Sequence, residues 1–192
     1  MIPRPDSCAS GALCLLVGPS GVGKDSLLAG VKERLSDRFV FPTRLITRSA
    51  DAGGEDHEAV DAQQFADLEA AGELGLSWRA HGLAYGIRRS ALRELDAGRG
   101  VVVNVSRSIL DDVRAAFPHV HVFSITAPEA ALRARLRGRG REDAHAIEAR
   151  IARALAFRVE GPDVTEIAND ADLSTGIERL ATALEAVSRG AR

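Results

Sequence analysis

The residues best placed to do chemistry are Gly18-Pro19-Ser20-Gly21-Val22-Gly23-Lys24-Asp25-Ser26. Closely spaced glycines let the backbone curl so that successive N–H groups point at phosphate oxygens. The lysine that ends the loop supplies a compact cation for the β- and γ-phosphates of a nucleotide. An unbroken apolar run, Leu13–Val17, precedes the stretch, and Leu27, Leu28, Val31 and Leu35 follow at helical spacing. A strand, a Gly-rich loop and a helix N-terminus in that order form an anion site, which a plain Gly-rich turn does not. Of the 25 basic residues only Lys24 and Lys32 are lysine, so this chain writes nearly every cation as arginine. At position 24 it does not, and the planar fork of arginine would fit the turn poorly. ATP is therefore the expected cofactor, with Mg²⁺, held by residues 18–26.

Two departures from the strict phosphate-loop pattern concern the metal. Ser or Thr is expected after the lysine as a magnesium ligand, and Asp25 stands there instead. Asp is also a favourable residue for the first turn of a helix. Many phosphate-loop proteins carry a magnesium-associated Asp at the end of a strand such as Val101–Val105, and this strand has Asn104, followed by Ser106. Asp25 is expected to supply the missing carboxylate, directly or through water.

A second candidate is the run Arg133-Ala-Arg135-Leu-Arg137-Gly-Arg139-Gly-Arg141, with Arg150 and Arg153 beyond it. Leu132 and Leu136, four apart, are expected to face inward. Gly138 and Gly140 make a hinge. Arg133 and Arg137 read as a solvated helix face. Arg135, Arg139 and Arg150 read as cations for a lid that closes over a transferring phosphoryl group, where catalysis is mostly positioning and charge stabilisation.

Short apolar runs alternate with helical patterns along the chain, which predicts an α/β fold with a mostly parallel sheet. Strands are expected at Leu13–Val17, Arg44–Thr47, Val101–Val105, Val120–Ile125 and Val164–Ala168. Helices are expected at Ser26–Leu35, Gln63–Ala71, Ser90–Ala97, Ile109–Ala116, Glu129–Arg137, Ala144–Phe157 and Ser174–Val187. The core is then 12–47 and 101–190 of a single domain spanning 12–190. Residues 48–100, including a hairpin from Gly75 to Ile87, form an inserted substrate flap. The lid covers about 133–150, and residues 1–11 are a loose arm.

Composition narrows the class. The chain has 192 residues, 45% apolar and 27% charged, with a net charge of −2. No global basic field argues for nucleic acid. The run Ala12–Val17 is far short of the ~20 apolar residues of a membrane span. Cys8 and Cys14 have neither metal-site spacing nor a disulfide framework, so a reducing, cytoplasmic setting is expected. The five histidines likewise show no metal spacing.

From about residue 12 to 187 the chain resembles the guanylate kinase group of nucleoside monophosphate kinases. The resemblance rests on the GPSGVGK loop, Thr47-Arg48, Ser77-Trp78-Arg79-Ala80 before Tyr85-Gly86, the Arg-rich lid and Ile167-Ala168-Asn169-Asp170. It implies a P-loop kinase with a five-stranded parallel sheet. It also implies that Arg135, Arg139 and Arg150 contact the transferring phosphate and that Asn169 lies near adenine. The acceptor site departs from that group. Ser77 replaces the Glu that precedes the Trp and reads guanine. His57 follows Asp56 where a Tyr is usual, Asn104 and Ser106 replace a double-Asp strand, and Asp51 replaces a second flap Arg. A site built to hydrogen-bond a base loses discrimination without those partners, whereas Arg48 remains for an acceptor phosphate.

With Gly-Lys-Asp-Ser and Val-Asn-Val-Ser-Arg, the chain is similar to the ribose 1,5-bisphosphate phosphokinases of phosphonate catabolism, within the same group. That resemblance implies a phosphorylated-sugar acceptor, with Arg44, Arg48, Arg79 and Arg107 as its cations and Asp56, His57 and Tyr85 as hydroxyl partners. Tyr85 reads equally as packing, Arg79 and Arg107 equally as paired surface charges, and Trp78 as flap core. Two other readings stand beside this one: a monophosphate kinase of altered base preference, and a non-catalytic guanylate-kinase-like binding module. Either a monomer or a homodimer is compatible with the sequence.

Overall fold

A computed structural model describes residues 11–49, 56–138, 144–156 and 158–190. The expected arm over residues 1–10 and Arg139 lie outside the described residues.

The element order is β1 (Leu13–Val17), α1 (Lys24–Leu35), β2 (Phe39–Val40), β3 (Arg44–Ile46), β4 (His57–Ala59), α2 (Ala62–Ala70), β5 (Leu74–Ala80) and β6 (Leu83–Arg88). It continues with α3 (Arg89–Leu92), β7 (Gly100–Asn104), α4 (Leu110–Ala116), β8 (Val120–Thr126), α5 (Glu129–Gly138), α6 (Ala144–Leu155), β9 (Val164–Ala168) and α7 (Leu173–Gly190). The main sheet has the order β2-β7-β1-β8-β9, and every pairing in it is parallel.

β1 lies at the centre, with all five residues fully buried. Its alternate side chains feed two cores. Leu13, Leu15 and Val17 join Val101, Val103, Ile109, Val113 and Val122 on one face; Cys14 and Leu16 join Leu27, Val31, Phe123, Leu180 and Leu184 on the other. A strand covered on both faces needs an unbroken apolar run, and each large aliphatic buried there contributes about 1.5–3 kcal/mol. Burial pushes the Cys14 thiol up to about 12, so it is chemically inert filler.

The expected five-stranded parallel sheet is present, but one member differs. Arg44–Ile46 does not join it; β2, a two-residue strand, takes that edge. β3 instead belongs to a second sheet of order β4-β3-β6-β5, so the flap begins at Arg44 rather than at residue 48. The reason is the packing that each face of β3 finds. Arg44 and Tyr85 lie on the face of this sheet directed at the phosphate loop, while Leu45 packs with Phe65, Leu74 and Ala84 beneath α2. α2 starts at a capping box: Asp61 Oδ1 accepts from Gln64 N (2.7 Å), and Gln64 Oε1 accepts from Asp61 N (2.9 Å). The β5–β6 turn uses His81 and Gly82, both at positive φ, as a tight hairpin requires. Leu76, Trp78 and Ile87 of the flap merge with the main core, so the two sheets share apolar packing. No helix among the described residues is long and apolar enough to cross a membrane.

Candidate active site

The phosphate loop lies between β1 and α1, at the C-terminal edge of the sheet. Gly18, Gly21 and Gly23 have φ of 152°, 85° and 99°. A Cβ on Gly23 would also lie 2.6 Å from Asn169 Nδ2. Gly23→Ala is therefore expected to destabilise the fold by about 1–3 kcal/mol, read as a lowered Tm. An unchanged Tm would mean that the loop tolerates a side chain there.

Lys24 Nζ donates to Gly18 O (2.8 Å) and Pro19 O (3.2 Å), which holds the ammonium across the mouth of the loop. Ser20 and Ser26 are exposed there. Behind the loop, Asn169 is 3% exposed. Its Nδ2 donates to Val22 O at 2.7 Å. Asn169 Oδ1 is buried and has no hydrogen-bond partner among the described residues. In this structure Asn169 acts on the loop backbone and positions it.

The lid reaches the loop from two helices. On α5, Arg135 donates from Nη1 to Val22 O (3.0 Å) and from Nη2 to Asn169 O (3.2 Å). On α6, Arg150 Nη2 donates to Ser20 Oγ (2.7 Å). Leu132 and Leu136 are both buried, as their spacing predicts. Leu136 seats with Ile147 and Ile151, which fastens the two lid helices together. Arg133 pairs with Glu129 and Glu148, consistent with a surface role.

Asp25 opens α1 with its side chain 51% exposed. Asn104, buried at the end of β7, donates from Nδ2 to Asp25 Oδ1 at 2.7 Å. Arg44 Nη1 donates to Asn104 O (3.0 Å), and its Nη2 lies 3.8 Å from Asp25 Oδ1. The carboxylate thus stands over the strand end that lacks one of its own. Arg44 is mostly buried; burial pulls its pKa down, while the Asp25 carboxylate raises it. In the sequence Asn104 reads only as a departure from the phosphate-loop pattern. A polar residue closing the apolar run Gly100–Val103 is the signal that marks it.

The other substrate candidates line the flap. Arg44 sits 5.8 Å from the Tyr85 ring centroid, and Tyr85 stacks on Trp78 at 5.3 Å with 9° between the planes. Trp78 is buried, the core role expected of it. Arg48 Nη2 and His57 Nδ1 are 3.5 Å apart, and His57 Nε2 lies 3.3 Å from Arg48 O. A proton on Nε2 satisfies both contacts. Asp56 is exposed beside them. Arg107 is half-buried three residues beyond Asn104, and desolvation lowers its pKa. Ser77 and Arg79 both donate to Glu69 of α2, at 2.5 Å and 2.7 Å, so Arg79 is a paired surface charge.

The donor set fits a nucleotide with magnesium. Loop amides and Lys24 suit phosphates, and one carboxylate beside a hydroxyl suits Mg²⁺, which keeps waters and shares substrate phosphates. Among the described residues no cluster of three or more His, Cys, Asp or Glu forms a metal cage.

A phosphate loop on a parallel sheet, with an inserted flap and an Arg-bearing lid, defines a P-loop kinase. The family model described as guanylate kinase matches residues 10–187, and the chain belongs to that family. It is 41% identical to "Ribose 1,5-bisphosphate phosphokinase PhnN" of Ruegeria sp. (strain TM1040), covering 96% of this chain and 97% of that protein. It is 46% identical to the "Bifunctional ribose 1,5-bisphosphokinase-thymidine phosphorylase" of Azorhizobium caulinodans over 92% of its own length, but spans only 26% of that longer protein. A solved guanylate kinase from Anaplasma phagocytophilum shares the fold, with a TM-score of 0.63 and 24% identity over 92% of this chain and 85% of that one.

Proposed function

We propose that this chain is a kinase that moves the γ-phosphoryl group of ATP onto the 1-phosphate of ribose 1,5-bisphosphate. The products are 5-phospho-α-D-ribose 1-diphosphate and ADP. The observation that carries this reading is the Lys24–Asp25–Asn104–Arg44 constellation: a complete nucleotide-phosphate cradle whose carboxylate comes from the helix rather than from the strand. Full-length similarity to proteins named for this reaction supports the acceptor.

Residues 18–26 would hold the triphosphate, and Asp25 with Ser26 would hold Mg²⁺, directly or through water. Held there, the ion would supply positive charge that offsets the phosphates' negative charge. Lys24 stabilises charge developing on the transferring group. Arg150, already at Ser20, and Arg135, at the back of the loop, contribute lid cations. Arg44 and Arg48 orient the acceptor phosphate toward the loop, with Tyr85, His57 and Asp56 available to sugar hydroxyls. An acceptor phosphate oxygen is anionic at neutral pH, so no general base is needed. Closing the lid excludes water and prevents wasteful ATP hydrolysis.

Product identity tests the proposal. Phosphorus NMR of a reaction of ATP with ribose 1,5-bisphosphate should show a new diphosphate on the sugar together with an untouched 5-phosphate. ADP accumulating with free inorganic phosphate instead would overturn it.

A further inference from the structure

Beside the transfer site lies a second recess whose chemistry the phosphate loop does not use. A cleft of about 440 Å³ opens from Gly18 and Pro19, the residues whose carbonyls hold Lys24, and runs beneath the C-terminal end of α6. Its walls bring together Arg107, from the turn after β7, and Arg158, from the segment after α6. We propose that this cleft is the subsite for the acceptor's second phosphate, the one that is not phosphorylated, with Arg107 and Arg158 as its clamp.

Three observations carry this. First, Arg158 is exposed and makes no ion pair or hydrogen bond among the described residues, while Arg107 is partly desolvated. Two guanidiniums in one recess beside a phosphate loop suit a second phosphate, which arginine grips bidentately. Second, the segment that carries Arg158 is anchored. Arg114 of α4 donates to both carboxylate oxygens of Asp163 (2.9 and 3.0 Å) and to Glu160 O (3.1 Å). Third, polar side chains line the rest of the cleft: Ser124, Glu160 and Glu166, whose carboxylate accepts from Thr126 Oγ1 at 3.2 Å. The volume suits a small ligand. This inference deepens the proposed function and rests on its acceptor.

Ribose 5-phosphate, titrated by calorimetry into the full chain, is the probe. R107Q and R158Q are each expected to weaken its binding by about tenfold or more. R158K should recover part of the loss, and ATP affinity should stay unchanged. R158Q should also raise KM for ribose 1,5-bisphosphate by a similar factor. Unchanged ribose 5-phosphate binding in both variants overturns the subsite, as does a loss confined to ATP. Failure of the underlying reaction looks different: wild type would bind ribose 5-phosphate through Arg158 yet release no ADP with ribose 1,5-bisphosphate.

Discussion

Lys24→Ala is expected to lower kcat for phosphoryl transfer by about 10²–10³-fold, the scale of removing one preorganised charge-stabilising donor. The effect should fall on kcat more than on KM, because the ammonium acts on charge that develops during transfer. Lys24 donates to Gly18 O and Pro19 O, so its position is set by the loop that cradles the phosphates. Lys24→Arg should fail nearly as badly. A planar guanidinium cannot occupy the point where those two carbonyls converge with a phosphate oxygen. Thermal unfolding should show both variants folded. A Lys24→Ala variant that keeps more than about a tenth of wild-type kcat would remove the lysine from the mechanism.

Asp25→Ala is expected to raise the Mg²⁺ concentration for half-maximal rate by about 10–100-fold. Asn104 and Arg44 address one Asp25 oxygen, while half of the side chain stays exposed, which is the surface proposed for the ion. Asp25→Ser would restore the hydroxyl usual in phosphate loops but not the charge over β7. Combining it with Asn104→Asp moves the carboxylate back to the strand and should recover much of the Mg²⁺ response. A Mg²⁺ titration of the four proteins checks this. Unchanged Mg²⁺ dependence in Asp25→Ala would show that the ion is held elsewhere.

These sites differ in how visible they are in sequence. The phosphate loop is legible because its chemistry is local: glycine conformations, a helix N-terminus and one lysine lie within nine consecutive residues. The buried strands are legible as apolar runs. β2 is not, since two residues carry no periodicity. β3 is visible as a strand, but its sheet is not. Membership depends on Leu45 meeting Phe65 and on Arg44 meeting Asn104, partners 20 and 60 positions away. The Asp25–Asn104 bond spans 79 positions, and the one from Arg135 to Val22 O spans 113. Arg158 lies outside every motif; only the folding of the segment after α6 against α4 brings it to the cleft that Arg107 also lines.

The opening imbalance between arginine and lysine now has a physical division. Many arginines are surface partners, such as Arg34 to Glu178 and Arg99 to Glu94. Arg44, Arg135 and Arg150 instead hydrogen-bond to the phosphate loop and the strand end beside it, where the lysine also lies.

The acceptor is the central claim, and a panel of kcat/KM values from coupled ADP release tests it most directly. Ribose 1,5-bisphosphate should exceed GMP and the other nucleoside monophosphates by about 10²-fold or more, because Ser77 stands in place of the Glu that the resemblance to guanylate kinases makes the guanine reader, and Ser77 donates to Glu69. Turnover of GMP at equal or greater kcat/KM, with ribose 1,5-bisphosphate inert, would contradict the account.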